Sequence, residues 1–269
     1  MTARVLLVRP ATARDDDADL LARAGCEVVA DPYLVVAPSA DPGARQRARE
    51  ALAAIADGAD WLIVASRNAI GALAELTSDA EVTQAVTAGS ARGLRVAAVG
   101  EATAAAVRQF GATHVLLPEA GTGAALAQAL VAQALVAQAV VAQAATSSAV
   151  LPRGNQAMRE LPAILRQAGW TVDDPVVYET STIAVRPSSA DLLADGFFDA
   201  VVVRSPSAVR AVHEHVRALP ASTVVVCGGP TTAGEAERLG LATIVQSPGP
   251  DAHSVARAVV EAIESGERA

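Results

Sequence analysis

The stretch DAVVVRSPSAVRAV (199–212) decides the fold. A β-branched run from Ala200 to Arg204 meets a Ser-Pro-Ser break and passes into a helical stretch, so a strand hands the chain directly to a helix. Pro206 suits the first helical position, and Ser205 suits the N-cap before it. Similar short runs recur outward from this stretch: VLLV (5–8), WLIVA (61–65), VAAV (96–99), HVLL (114–117), TVVVC (223–227) and TIV (243–245). Alternation of strands with helical segments means parallel sheets with crossover helices, an α/β class. Composition agrees, because 52% of residues are hydrophobic but only 3% are aromatic, which suits thin strands covered by Ala-rich helices. A chain of 269 residues has room for two ordinary cores.

The chain also matches itself at fixed offsets. Adding 144 carries Leu7, Arg9, Ala24, Gly25 and Val28 onto Leu151, Arg153, Ala168, Gly169 and Val172. Adding 139 carries Asp60, Val64, Ser66 and Ala69 onto Asp199, Val203, Ser205 and Ala208. Adding 129 carries Gly100, Thr103, Ala104 and Gly111 onto Gly229, Thr232, Ala233 and Gly240. Offsets that hold within blocks and change only between them are expected of a duplicated α/β unit with loops of different length. One segment departs from the pattern: AALAQALVAQALVAQAVVAQAA (124–145), with Gln128, Gln133, Gln138 and Gln143 at a spacing of five. On a helix that spacing spirals rather than marking one face, so the segment reads as a peripheral helix lengthened by tandem duplication. Its glutamines and weakly apolar alanines count against a membrane span.

Charge and residue usage exclude several classes. A formal net charge of -8 is wrong for nucleic acid or an anionic membrane, which need a basic footprint. All 21 basic side chains are arginine, so Schiff-base chemistry and a P-loop lysine are excluded. Cys26 and Cys227 are far apart, and His114, His213, His215 and His253 form no metal-binding spacing, so no metal is expected. The apolar run near Met1 is only Val5 to Val8 with no cleavage pattern, which predicts a cytoplasmic protein with reduced cysteines. No Gly-x-Gly-x-x-Gly follows a strand, so no dinucleotide fingerprint is present.

In a parallel sheet, ligands collect where strand carboxyl ends lead into helix N-termini. Four junctions stand out: Ser66-Arg67-Asn68, Gly100-Glu101-Ala102-Thr103, Ser205-Pro206-Ser207 and Gly229-Pro230-Thr231-Thr232. Each would offer unpaired NH groups and the positive end of a helix dipole, a receptor for carboxylate or phosphate; each also fits an ordinary helix start. Arg9 and Arg153, at equivalent places just after a first strand, suit bidentate carboxylate binding and equally suit surface ion pairs. The expectation is two copies of one unit whose facing loops form a cleft for a small polyanion.

VVRSPSAVRAV (202–212), GGPTTAGEAERLGL (228–241), RVAAVGEATAAAV (95–107), DWLIVASRNAI (60–70), VLPRG (150–154) and VVYET (176–180) together resemble the uroporphyrinogen-III synthase family over nearly the whole chain. The resemblance implies a cofactor-free cyclase that closes the polycarboxylate hydroxymethylbilane into uroporphyrinogen III, with loss of water and inversion of ring D. It implies two flavodoxin-like domains joined by a two-stranded linker. Domain 1 would comprise about 1–36 and 180–269, and domain 2 about 37–179. A soluble monomer acting on this small molecule, with no nucleic acid or membrane partner, is expected. Substrate contacts implied or suggested are Arg9, Ser66, Thr103, Arg153, Ser205, Ser207, Thr231 and Thr232. Tyr178, in VVYET, matches the family's candidate proton donor; the alternative is an aromatic that only packs in a hinge strand. Asn155 stands where the family often has an acidic residue. The rival from another class is a non-catalytic two-domain binding or regulatory protein, which the presence of Tyr178 and all four helix starts disfavours.

Overall fold

The computed structural model describes residues 2–10, 16–141, 146–249 and 251–266. In chain order the strands are β1 (Arg4–Pro10), β2 (Glu27–Pro38), β3 (Trp61–Val64), β4 (Arg95–Ala98), β5 (Val115–Leu116), β6 (Ser148–Val150), β7 (Arg153–Gly154), β8 (Thr171–Asp173), β9 (Val176–Thr182), β10 (Ala200–Val203), β11 (Val224–Cys227) and β12 (Ile244–Gln246). The helices are α1 (Asp16–Arg23), α2 (Ala44–Asp57), α3 (Arg67–Leu76), α4 (Asp79–Ala91), α5 (Glu101–Arg108), α6 (Gly123–Val141), α7 (Glu160–Gln167), α8 (Ala190–Ala194), α9 (Pro206–His215), α10 (Pro230–Arg238) and α11 (Ala252–Gly266). The chain divides into two compact units, one of Met1–Val36 with Thr180–Ala269 and one of Ala37–Glu179. The crossings between the units fall inside β2 and β9.

In the first unit the strand order is β2-β1-β10-β11-β12, and every pair is parallel. In the second it is β8-β6-β3-β4-β5, again all parallel. The central strands are buried on both faces, and successive residues point to opposite sides. Leu6, Val201, Val203 and Val225 face Leu193, Val209 and Val212 of α8 and α9, while Val5, Val202 and Val226 face Leu21 of α1 and Val255 and Val259 of α11. The second unit repeats the plan: Leu62, Val64 and Val96 pack with α2 to α5, and Trp61, Ile63 and Ala97 pack with α6 and α7. Each such Val or Leu contributes about 1.5–3 kcal/mol on burial, which is why uninterrupted apolar runs hold these positions.

The registers carry more information than the strand order. Val5 pairs with Ala200 and Leu6 with Val201, while Ala149 pairs with Trp61 and Val150 with Leu62. Arg4 pairs with Glu27 and Ser148 with Thr171. Val201 pairs with Val225 and Leu62 with Val96; Val225 pairs with Ile244 and Val96 with Val115. Each pairing in one unit becomes the matching one in the other under the offsets 144, 139 and 129.

The expectation that the five-residue repeat forms a peripheral helix without a face needs correction. Leu126, Ala127, Leu130 and Ala134 of α6 are buried against Trp61, Ile63 and Leu165, so the aliphatic residues at steps of four, and not the glutamines, mark the packing face. Gln128 and Gln133 are exposed; the side chain of Gln138 and the whole of Gln143 lie outside the described residues. Among the described residues no helix is long and apolar enough to cross a membrane.

Candidate functional site

Parallel pairing puts the carboxyl ends of β10 and β11 on one sheet edge of the first unit, and those of β3 and β4 on one edge of the second. All four strands lead into helices there, and the helix starts are of two kinds. Ser66 caps α3 with its Oγ accepting from the Asn68 NH at 3.2 Å. Ser205 caps α9 in the same way, accepting from the Ala208 NH at 3.2 Å, with Pro206 at the first helical position. Its Oγ also lies 2.9 Å from that of Ser207. By contrast, Gly100 caps α5 and Gly229 caps α10, in extended backbone, with no side chain to take up the first-turn NH groups. Thr103 and Thr232 sit in those first turns and are buried, 7% and 2% exposed, while Thr231 beside Thr232 is exposed. The Thr103 and Thr232 NH groups donate to the Gly100 and Gly229 carbonyls at 3.0 and 3.1 Å, and Pro230 has no NH, so the NH groups these starts leave for an anion are those of Glu101 and Ala102 in α5 and Thr231 in α10, together with the dipole end.

The second constellation lies where β7 pairs with β9. Gly154 lies opposite Tyr178, with a register shift between Arg153 and Gly154. A Cβ on Gly154 would meet the Tyr178 ring at 2.5 Å and its hydroxyl oxygen at 2.9 Å, so only glycine lets the ring lie across this strand. The Asn155 NH donates to the Tyr178 carbonyl at 3.0 Å, and the half-buried ring packs against the core that contains Val177. Arg153 is expected just after a strand as a carboxylate receptor, but it lies within β7, and its Nε donates to Asp174 at 2.8 Å. Arg166 donates to the other oxygen of Asp174. Burial pushes the Asp174 carboxyl up, but the bonds from Arg166 and Arg153 outweigh it and hold the group below the usual carboxylate range. Arg153 thus takes the ion-pair alternative. Arg9 likewise lies within β1, half-buried, rather than after it.

The sequence profile of a family described as Uroporphyrinogen-III synthase HemD matches residues 5–257. The chain belongs to this family. It is therefore a cyclising lyase that acts on hydroxymethylbilane in tetrapyrrole biosynthesis. Solved structures share the fold. A mutant uroporphyrinogen III synthase from the extremely thermophilic bacterium Thermus thermophilus is 16% identical with a TM-score of 0.56, covering 98% of this chain and 100% of its own. The synthetase from Helicobacter pylori 26695 is 15% identical with a TM-score of 0.58, covering 97% and 99%. No curated protein matches the chain.

For this enzyme, sequence reasoning singled out Tyr178 and all four helix starts but missed Gly154, where the absence of a side chain makes room for the ring. The available signal was the glycine of VLPRG at the step of 144 from Pro10, a position that places a residue opposite the second strand. Asp174 was missed as well; its signal was a second acid in the Asp173-Asp174-Pro175 turn ahead of Tyr178. Among the described residues no group of His, Cys, Asp and Glu is arranged to hold a metal.

Proposed function

We infer that the enzyme closes hydroxymethylbilane with inversion of ring D to give uroporphyrinogen III, mainly by holding the flexible substrate in one folded shape. The observation that carries this reading is the pair of glycine-started helices, which have no capping side chain and leave the NH groups of Glu101, Ala102 and Thr231 for ligand carboxylates beside buried Thr103 and Thr232. The terminal hydroxyl leaves as water to form an azafulvene, the substituted carbon of ring D attacks to give a spiro intermediate, and fragmentation and reclosure follow. The adjacent pyrrole nitrogen already drives departure of the hydroxyl, so a positioned proton donor and correct orientation suffice, with no cofactor. Tyr178 is that donor, and Gly154 gives its ring room. Ser66, Ser205, Ser207, Thr231, Arg9 and Arg153 line or brace the strand ends of their own units.

The two sheets derive from one duplicated flavodoxin-like unit. Numbering outward from β1 or β6, both orders read 2-1-3-4-5, the flavodoxin pattern, although the second unit begins its chain at the third strand. The shared registers support this, as does a repeated register shift between Arg9 and Pro10 and between Arg153 and Gly154. β2 and β9 serve as the two-stranded linker: Ile183 NH donates to Tyr33 at 3.1 Å in the first unit, and Ser39 NH to Val177 at 2.9 Å in the second.

The test is the product isomer formed from hydroxymethylbilane after exhaustive chelation and desalting. Spontaneous closure gives the type I isomer, so a predominant type III product is expected. A type III yield that disappears and returns only with added metal or nucleotide would overturn the cofactor-free reading.

A further inference from the structure

At the amino edge of the second unit's sheet, opposite the strand ends described above, lies a cavity of about 580 Å³. Trp61, Arg95 and Val115, the first residues of β3, β4 and β5, line it together with Ser90, Thr113 and His114. The Arg95 guanidinium carbon lies 4.3 Å above the centre of the Trp61 ring, a cation–π contact that favours this position. Among the described residues Arg95 makes no ion pair or side-chain hydrogen bond, and neither do the side chains of Ser90, Thr113 and His114. The Trp61 indole NH is buried without a partner. A planar cation in this position, with its five donors unused and an apolar floor beneath it, is what a carboxylate on a flat apolar body requires.

The first unit shows that the fold itself does not demand this arrangement. Under the offsets 139 and 129, Trp61, Arg95 and His114 correspond to Ala200, Val224 and Thr243. A cavity of about 750 Å³ occurs there too, lined by Val224, Thr243, Glu27, Asp199 and Arg4. Its arginine also stacks on an aromatic ring, Phe197, at 4.3 Å, but it is paired with Glu27 at 3.7 Å. The positions equivalent to Arg4 and Glu27 are Ser148 and Thr171, so the second unit lacks that ion pair, and its stacked arginine comes instead from β4. Asp60 instead accepts from the Ser148 NH at 2.7 Å, as Asp199 accepts from the Arg4 NH at 2.7 Å, and makes no ion pair with Arg95.

We propose that the cavity under Trp61 and Arg95 is a second ligand site, separate from the substrate site, for a small aromatic carboxylate. Arg95 and His114 receive the carboxylate, Ser90 and Thr113 complete its hydrogen bonds, and the aromatic body lies against Val115 and Leu116.

The probe is 2-naphthoate, titrated into the full-length enzyme by calorimetry and by tryptophan fluorescence, with 2-naphthylmethanol and inorganic phosphate run in parallel. One saturable site for 2-naphthoate is expected, with a fluorescence change and at least tenfold weaker binding of the other two. Arg95→Met keeps an apolar stem over Trp61 and removes the charge; it weakens 2-naphthoate about tenfold or more, the loss of one charge-assisted contact, without altering type III formation. His114→Ala is the second variant, expected to weaken binding several-fold should Arg95→Met not fold. Thr232→Ala leaves the affinity unchanged. Equal binding of the alcohol, equal binding by both cavity variants, or loss of binding in Thr232→Ala would each overturn the proposal, the last by moving the probe to the substrate site.

Discussion

The end of β1 and β2 in the first unit and the β7 and β9 pair in the second have the same backbone and different chemistry. Pro10 lies opposite Leu34 after a register shift at Arg9; Gly154 lies opposite Tyr178 after a register shift at Arg153. The partners are 144 residues apart in each case. Leu34 is 2% exposed and belongs to the core, so the first unit uses this position for packing. The second unit places a phenol there and removes the opposing side chain, because any Cβ would strike the ring. Backbone geometry that is shared cannot explain a function carried by one copy. On the proposed function, the side chains that differ would carry the chemistry, while the glycine-started helices present in both units would supply binding common to each.

The largest effect should come from breaking the difference itself. Tyr178→Phe is expected to slow type III formation about 100-fold, the scale of general acid catalysis, with the Michaelis constant nearly unchanged. Measurable type III product should persist, since hydroxyl departure proceeds without enzyme and orientation remains. Gly154→Ala, which pushes the ring aside while keeping the hydroxyl, should lower the same rate and cost about 1–3 kcal/mol in unfolding free energy. Initial rates and isomer ratios, with circular dichroism as the control for folding, check both; a full rate in Tyr178→Phe would make the tyrosine only a larger Leu34.

A smaller effect should separate the two kinds of helix start. Thr232→Ala raises the Michaelis constant by the equivalent of about 0.5–1.5 kcal/mol, one hydrogen bond among several. Ser66→Ala instead costs about 1 kcal/mol of stability through loss of the cap and leaves the Michaelis constant close to wild type. Steady-state kinetics and thermal melting of the two variants side by side decide this, and the reverse pattern would assign substrate binding to the serine starts.

The smallest effect concerns acid. Among the described residues each unit holds a carboxylate between two arginines. Arg238 and Arg210 pull Glu235 down to about 2, with burial working against them. Burial raises Asp174, but Arg166 and Arg153 together bring it below its ordinary value. Both folded values lie below the unfolded ones, so their stabilisation is complete above the ordinary carboxylate range and is lost as pH falls through the folded values. Melting temperature should therefore decline from about pH 4.5 toward pH 2, and Asp174→Asn should flatten part of that decline. An unchanged acid slope in Asp174→Asn would show that its arginines contribute nothing net.

The sequence by itself determined the α/β class, because β-branched runs followed at once by Ser-Pro, Gly-Pro and Gly-Glu starts leave little choice but strands feeding helices. It also marked Thr103, Thr232 and Tyr178, since the motifs around them are local. The tertiary structure alone decided what those positions meet. Ser66 and Ser205 turn out to be caps that use their own oxygen, and Arg153 is tied to Asp174, 21 residues along the chain. The room that Gly154 leaves for Tyr178 exists only once β7 and β9 are paired in one register. The apolar face of α6 was hidden by the regular spacing of its glutamines, and the stacking of Arg95 on Trp61 by their distance along the chain. The physical reason is the same throughout: propensity and capping act over a few residues and can be read from neighbours, whereas a contact across strands depends on a register that only the folded sheet sets.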